Sequence, residues 1–260
     1  MPRNDDIARI RATLLAAAEA ISPFTPGAVE FERKEERGDP LTAADLAADE
    51  VLRAMLPVPG EGWLSEESVD DNSRLVSERV WIVDPIDGTR EFVEGVPEWC
   101  ISIGLLEKGV PVAGGILNPV TNELVIGSLE TGVEFNGEPA RVLDRAPGNR
   151  IRVLASRSEI RRGEWDRFEE AFSVEPCGSV AYKMALVAAG QADATWTLVP
   201  KSEWDVAGGA ALICAAGGAV TLADGTKPSF NQTTPLFPNF VAAGELTRSW
   251  LVDTCLGKKG

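Results

Sequence analysis

The chain has 260 residues and a formal net charge of −15, with 25 Lys and Arg against 40 Asp and Glu. A charge of that sign opposes nucleic-acid polymers and anionic membrane surfaces. The absence of any histidine removes Ser-His-Asp triads, Cys-His pairs and His-ligated zinc or haem, leaving acid-base work to carboxylates, hydroxyls, lysines or metal-bound water.

Other bulk features agree with a cytoplasmic globular protein. No apolar run approaches the ~20 residues that span a bilayer, and the start, Met1-Pro2-Arg3-Asn4-Asp5-Asp6, is unlike a secretion signal. Cys100, Cys177, Cys214 and Cys255 are widely separated, as expected of reduced thiols.

Residues 5–22 place Ile7, Ile10, Leu14, Ala17 and Ile21 at helical spacing, and Pro23 and Pro26-Gly27 end that helix. Residues 31–39 are charged and read as strand or irregular chain. A second helix is expected from Thr42 through Met55, stopped by Pro57. Thr42 and Asp45 have the form of a capping box, which is a sufficient structural reason for Asp45. Glu66 and Glu67 follow a short apolar pair and suit a solvated acidic loop. Residues 70–79 read as polar and exposed.

The run Val80-Trp81-Ile82-Val83 predicts a buried strand. It breaks into Asp84-Pro85-Ile86-Asp87-Gly88-Thr89, where Pro85 cannot donate to a ladder and Gly88 permits a sharp turn. Two carboxylates and a hydroxyl at a strand end can gather a hard cation such as Mg²⁺. They can equally be a cap and a turn.

Residues 90–94 suit a short helix or turn. Strands are expected over 101–106, 110–117, 124–127 and 133–135, with turns at Lys108-Gly109 and Asn136-Gly137, giving an antiparallel sheet after two helices. Pro147-Gly148 marks a boundary between an N-terminal α+β domain, 1–145, and a C-terminal α/β domain, 146–260. The second contains a strand over 151–155, a helix near 159–172, a strand near 174–177, a helix over 180–190 and a strand over 193–198. A long helix over 205–216, stopped by Gly217-Gly218, is followed by strands over 220–222 and 239–243 and a helix over 245–255. Asp205 opens the long helix, where the helix dipole alone would favour a carboxylate. Ala207-Gly208-Gly209 permit close approach to another element or to a ligand.

Four motifs in order, Gly38-Asp39-Pro40-Leu41-Thr42-Ala43-Ala44-Asp45, Ser65-Glu66-Glu67-Ser68, Asp84-Pro85-Ile86-Asp87-Gly88-Thr89 and Trp204-Asp205-Val206-Ala207-Gly208-Gly209, closely resemble those of the inositol monophosphatase superfamily. The resemblance covers nearly the whole chain. It implies a layered α-β-α-β-α sandwich and Mg²⁺-dependent, lithium-sensitive hydrolysis of phosphomonoesters with two or three ions. At matching positions it implies metal ligation by Glu66, Asp84, Asp87, Asp205 and the Ile86 carbonyl. Thr89 and Asp45 would activate the attacking water, with Glu67 behind the ligands. The amides of Gly88 and Thr89 would hold the phosphate, with Lys34 nearby. The expected partner is a small phosphorylated substrate, and a homodimer is left open.

Within the superfamily, several secondary positions resemble the 3′(2′),5′-bisphosphate nucleotidases: Thr89-Arg90-Glu91-Phe92, Glu98-Trp99, Gly178-Ser179 with Lys183, and Glu203-Trp204-Asp205. Inositol-specific members carry an acidic residue seven positions before the last metal-binding Asp, where this chain has Leu198. The resemblance therefore favours 3′-phosphoadenosine 5′-phosphate over inositol 1-phosphate, with Arg90, Lys183 and Lys201 as cations for a second phosphate. Gly95-Val96-Pro97 and Ser102-Ile103-Gly104-Leu105 resemble the inositol phosphatases instead.

Overall fold

The computed structural model describes residues 3–33, 40–145 and 150–256. In its first half the elements are α1 (Arg3–Ile21), β1 (Phe31–Arg33), β2 (Pro40–Thr42), α2 (Ala43–Met55), β3 (Gly62–Ser65), a 3₁₀ turn (Ser73–Val76), β4 (Arg79–Asp87) and α3 (Thr89–Glu94). There follow β5 (Cys100–Glu107), β6 (Val110–Asn118), β7 (Glu123–Ser128), β8 (Gly132–Phe135) and β9 (Glu138–Ala140). The second half holds β10 (Arg152–Ser156), α4 (Arg157–Arg161), a 3₁₀ turn (Asp166–Phe168), β11 (Ser173–Cys177), α5 (Val180–Ala188) and β12 (Ala194–Thr197). It closes with β13 (Lys201–Ser202), α6 (Glu203–Ala215), β14 (Gly218–Thr221), β15 (Leu236–Phe237), β16 (Phe240–Gly244) and α7 (Glu245–Leu251), which runs into a π-helical turn (Val252–Leu256).

Strands β3 to β9 form one seven-stranded sheet in sequence order, and β11-β10-β12-β16-β14 form a five-stranded sheet. In the first sheet β3 runs parallel to β4 and the other pairs are antiparallel. In the second, β10 is parallel to β11 and β12, while β16 is antiparallel to both its neighbours.

The side-chain alternation of β4 explains the layers. Trp81 and Val83 face a core shared with Ile10, Leu14, Ala48 and Leu52 of α1 and α2. Val80 and Ile82 face the opposite core, with Met184 and Ala185 of α5 and Val206 and Ala210 of α6. A strand buried on both faces reads as a continuous apolar run, as this one does. The same central core reaches Leu154, Phe240 and Ala242 of the second sheet. The far face of that sheet packs Val153, Trp196 and Val241 against Trp165, Phe168, Phe172 and Leu251. The result is the expected α-β-α-β-α sandwich. Among the described residues, no helix is long and apolar enough to cross a membrane.

Four expectations need correction. Strand β4 does not stop at Val83 but continues to Asp87, with three steps from Asp84 to Asp87 set against two on β5, from Ser102 to Cys100. That is a β-bulge, which accommodates Pro85 without ending the strand. The helix near 159–172 is instead α4 and a separate 3₁₀ turn, interrupted at Gly163 with φ +75°. Residues 70–79 are not uniformly exposed, because Arg74 is fully buried. The first sheet is not wholly antiparallel, since β3 joins it in parallel. Residues 34–39, with Lys34, and the boundary segment 146–149 lie outside the described residues.

Helix α6 lies unusually close to the first sheet. A Cβ on Gly104 would sit 2.8 Å from the Ala207 carbonyl carbon and the Gly208 nitrogen, and one on Gly114 would sit 2.6 Å from the Gly208 oxygen. A Cβ on Gly208 itself would meet Ser102 Oγ at 2.8 Å and the Ile103 oxygen at 2.9 Å. The small residues after Asp205 therefore serve close approach to the sheet, and they draw the first turn of α6 down towards β4. Gly208→Ala should destabilise the fold by about 1–3 kcal/mol in urea denaturation, the usual cost of overpacking. A stability equal to that of the unsubstituted protein would contradict this packing account.

Candidate active site

Three separate elements, β3, β4 and α6, bring carboxylates to one place. Strand β3 pairs in parallel with β4, Ser65 opposite Val83, so Glu66 emerges beside Asp84. The bulge then sets Asp87 and the Ile86 carbonyl after Asp84. From the other half, the close packing of α6 delivers Asp205 in its first turn. One carboxylate oxygen each from Glu66, Asp84 and Asp205 lie within 4.8 Å of one another. Asp87 is not part of that trio, although its charge acts on Asp84 and Asp205.

The electrostatics of the cluster are unfavourable without a cation. Burial pushes the Asp84 carboxyl well above its ordinary range, and the charges of Glu66, Asp87, Asp205 and Glu67 push it further. Asp205 is raised to about 8, first by burial and then by Asp87 and Glu66. Burial also raises Asp87, against hydrogen bonds from Ser179 and the Ala181 amide and the nearby charge of Lys183. Asp84 Oδ1 is buried with no hydrogen-bond partner in the structure. A buried carboxylate oxygen is seldom left without a partner. An all-oxygen donor set with one uncommitted, buried oxygen fits a hard divalent cation such as Mg²⁺.

Several of these acids also cap helices. Asp45 Oδ2 accepts the Thr42 amide at 2.8 Å and the Thr42 hydroxyl at 2.6 Å, completing the capping box of α2. Its Oδ1 lies 3.2 Å from Thr89 Oγ1, so capping and a place behind Thr89 are compatible. The Thr89 hydroxyl is also 3.0 Å from the Ile86 carbonyl oxygen, and its single proton can serve only one acceptor at a time. Asp205 Oδ2 accepts the Ser202 amide at 2.9 Å. Asp87 Oδ2 accepts the Ser179 hydroxyl at 2.7 Å and the Ala181 amide at the start of α5.

Gly88 links the bulge to α3 with φ +98°, and a Cβ there would meet Trp99 Cβ at 3.1 Å and the Glu98 oxygen at 3.2 Å. Only glycine is at ease in that combination of left-handed backbone and close contact. Trp99 is held by an edge-on contact with Phe92, ring centres 4.9 Å apart.

The cluster opens into a cleft of about 450 Å³ lined by Glu66, Asp84, Asp87, Gly88, Thr89 and Asp205 together with Arg90, Lys183, Lys201 and Trp204. Asp45 and Glu67 do not line it; the Glu67 amide donates to Ser65 Oγ at 3.2 Å. Lys183 is not the solvated cation its charge suggests. It is 4% exposed, and its ammonium donates to the Ser179 carbonyl at 2.5 Å, with the Cys177 and Gly178 carbonyls at 3.4 and 3.5 Å.

Glu91, Ser156, Ser158 and Trp204 also line the cleft; none of them carried a role in the sequence reading, and no local motif marks the two serines. The Glu98 carboxylate takes a two-point contact from Arg157 and accepts the Gly178 amide at 2.6 Å. Burial pushes the Glu98 carboxyl up, but those hydrogen bonds outweigh it and hold it low. This pair ties the end of β10 to the approach to β5, a juxtaposition that no spacing in the sequence reveals.

Comparison with known proteins places the chain and its fold in one family. A sequence model of the inositol monophosphatase family matches residues 5–253. The chain is 36% identical to an inositol-1-monophosphatase of Mesorhizobium japonicum over 224 residues, covering 82% of this chain and 83% of the relative. It is 31% identical over 253 residues to a 3′-phosphoadenosine 5′-phosphate phosphatase of Mycobacterium leprae, covering 90% and 88% of the two chains. Among solved structures, the IMPase of Thermotoga maritima superposes with a TM-score of 0.81 at 28% identity, covering 97% and 96% of the chains. CysQ from Bacteroides thetaiotaomicron superposes with 0.77 at 30% identity, covering 92% and 97%. With fold, carboxylate cluster and motif order all in agreement, the chain belongs to the inositol monophosphatase family and is a phosphatase, a hydrolase of phosphomonoesters.

Proposed function

We propose that the protein is a Mg²⁺-dependent 3′(2′),5′-bisphosphate nucleotidase whose substrate is 3′-phosphoadenosine 5′-phosphate. The observation that carries the metal-dependent part is the buried trio of Glu66, Asp84 and Asp205 with the uncommitted Asp84 Oδ1. Those three carboxylates, with Asp87 and the Ile86 carbonyl, would hold the ions. Bound Mg²⁺ supplies positive charge against the phosphoryl oxygens and makes water a stronger acid.

The remaining work belongs to the chain's own groups. A water hydrogen-bonded to Thr89 Oγ1 is oriented for attack, and its proton moves to that hydroxyl as the Thr89 proton passes to Asp45 Oδ1. Asp45 is suited to this because its other oxygen is already fixed by Thr42. The Gly88 and Thr89 amides at the bulge hold the phosphate oxygens. No histidine is required.

The choice of substrate rests on the cleft walls. Pro200, Trp204, Val180 and Leu236 offer an apolar surface of a kind that a purine can cover, and Arg90 and Lys201 line the same cleft. Lys183 spends its donors on backbone carbonyls, so the second phosphate falls to Arg90 and Lys201. Leu198, 39% exposed, cannot accept a hydrogen bond from a sugar hydroxyl with its side chain. The similarity to the M. leprae 3′-phosphoadenosine 5′-phosphate phosphatase spans 90% of the chain. An inositol phosphate is the second reading, supported by the 36% identity to the M. japonicum inositol-1-monophosphatase.

Initial rates of phosphate release from 3′-phosphoadenosine 5′-phosphate, inositol 1-phosphate and fructose 1,6-bisphosphate, with and without Mg²⁺, test the substrate. The nucleotide should give the highest kcat/KM and no substrate should turn over without the metal. A higher kcat/KM for inositol 1-phosphate would overturn the nucleotidase reading. Thr89→Ala should lower kcat about 10²–10⁴-fold with little change in KM, the range for loss of proton-transfer help. An unchanged kcat would remove Thr89 from the mechanism.

A further inference from the structure

Arg74 is the one fully buried arginine among the described residues, and it lies outside the cleft. It sits in the 3₁₀ turn after β3, eight residues beyond Glu66. Gly62 lets that turn pack on β3, since a Cβ there would meet Arg74 Cβ at 2.9 Å. The guanidinium reaches two segments, the loop at Asp70 and the turn at Asn231 and Gln232. Its Nε and Nη2 donate to Asp70 Oδ2 at 3.1 and 2.8 Å, Nη1 donates to Asn231 Oδ1 at 2.6 Å, and Nη2 also donates to the Gln232 carbonyl at 2.8 Å. Asn231 Nδ2 returns a bond to the Arg74 carbonyl at 3.3 Å.

The 231–232 turn is in turn held by α6. The amides of Asn231 and Gln232 donate to the two oxygens of Glu203 at 2.7 and 2.9 Å. Glu203 is fully buried and is the first residue of α6. Its own amide donates to the Pro235 carbonyl at 3.0 Å, and Ser202 pairs with Leu236 in the β13–β15 ladder. These bonds fix residues 231–237 to the first turn of α6, and Arg74 connects that unit to the loop that follows Glu66. Asp205 is two residues beyond Glu203.

We propose that Arg74 is a positioning residue that holds Glu66 and Asp205 at the spacing a divalent cation needs, through Asn231, Gln232 and Glu203. The inference rests on the metal-site reading above. Arginine suits the task because its planar fork holds five donors in a fixed arrangement, against three on the compact ammonium of lysine. Outer-shell partners of metal ligands commonly influence affinity about 10–100-fold.

The test is calorimetric titration of Mn²⁺ into metal-free protein, without substrate, for the wild type, Arg74→Lys and Asn231→Gly. Asn231 has φ +60°, so glycine keeps the backbone while deleting the side-chain link. Mn²⁺ affinity should fall about 10–100-fold in both variants, and the Mg²⁺ concentration for half-maximal turnover should rise by the same factor, with kcat at saturating Mg²⁺ largely retained. Asn231→Gly carries the test if Arg74→Lys does not fold. Unchanged Mn²⁺ affinity in a folded variant, even one with a lower melting temperature, would make Arg74 a stabilising residue only and overturn the inference. Absence of Mn²⁺ binding in the wild type would overturn the metal-site reading, and the inference with it.

Discussion

Like-charge repulsion among buried carboxylates is the constraint that the architecture has to meet. At an effective dielectric of about 20, two unit charges 4.8 Å apart repel by about 3.5 kcal/mol, and Glu66, Asp84 and Asp205 lie within that distance of one another. No local stretch of chain could hold such a trio. It is held because β3 is locked in register beside β4, and because glycine contacts let α6 settle on β5 and β6. The two halves of the chain therefore share a core as well as a site, since α5 and α6 pack on the first sheet while following from the second half.

The acids in and behind the cleft also serve the helices. Asp45 and Asp205 complete capping boxes, and Asp87 takes the Ala181 amide at the start of α5. Capping and cation chemistry draw on the same property, an oxygen with lone pairs directed at positive charge. A carboxylate has two oxygens, so one can fix the side chain while the other remains for other work. Asp45 displays this most plainly, with Oδ2 on Thr42 and Oδ1 facing Thr89. Side chains anchored in this way are pre-organised, which is what a site of this kind needs.

Much of this was legible in the sequence where the determinant is local. The apolar run 80–83, the capping form of Thr42-x-x-Asp45 and the small residues of α6 each express a short-range rule, and each lies in a strand or helix of the expected kind, although β4 runs past Val83 to Asp87. The motif order pointed to the same family as the comparisons. What escaped was non-local or depended on partners. A proline normally ends a strand, but β4 accommodates Pro85 through a bulge against β5. The helix expected near 159–172 broke at Gly163 because Trp165, Phe168 and Phe172 pack around Trp196 instead. In sequence Arg74 reads as exposed and Lys183 as a cation for a second phosphate, and the burial of each depends on carbonyls far along the chain or on a neighbouring turn.

The central claim is that Glu66, Asp84 and Asp205 converge to hold a divalent cation. Anomalous diffraction from crystals grown with Mn²⁺ addresses it directly. A peak about 2 Å from an oxygen of each of the three carboxylates, lost in Asp84→Asn, is the result this account predicts. Crystals that show Mn²⁺ bound elsewhere and no peak among these three side chains would contradict it.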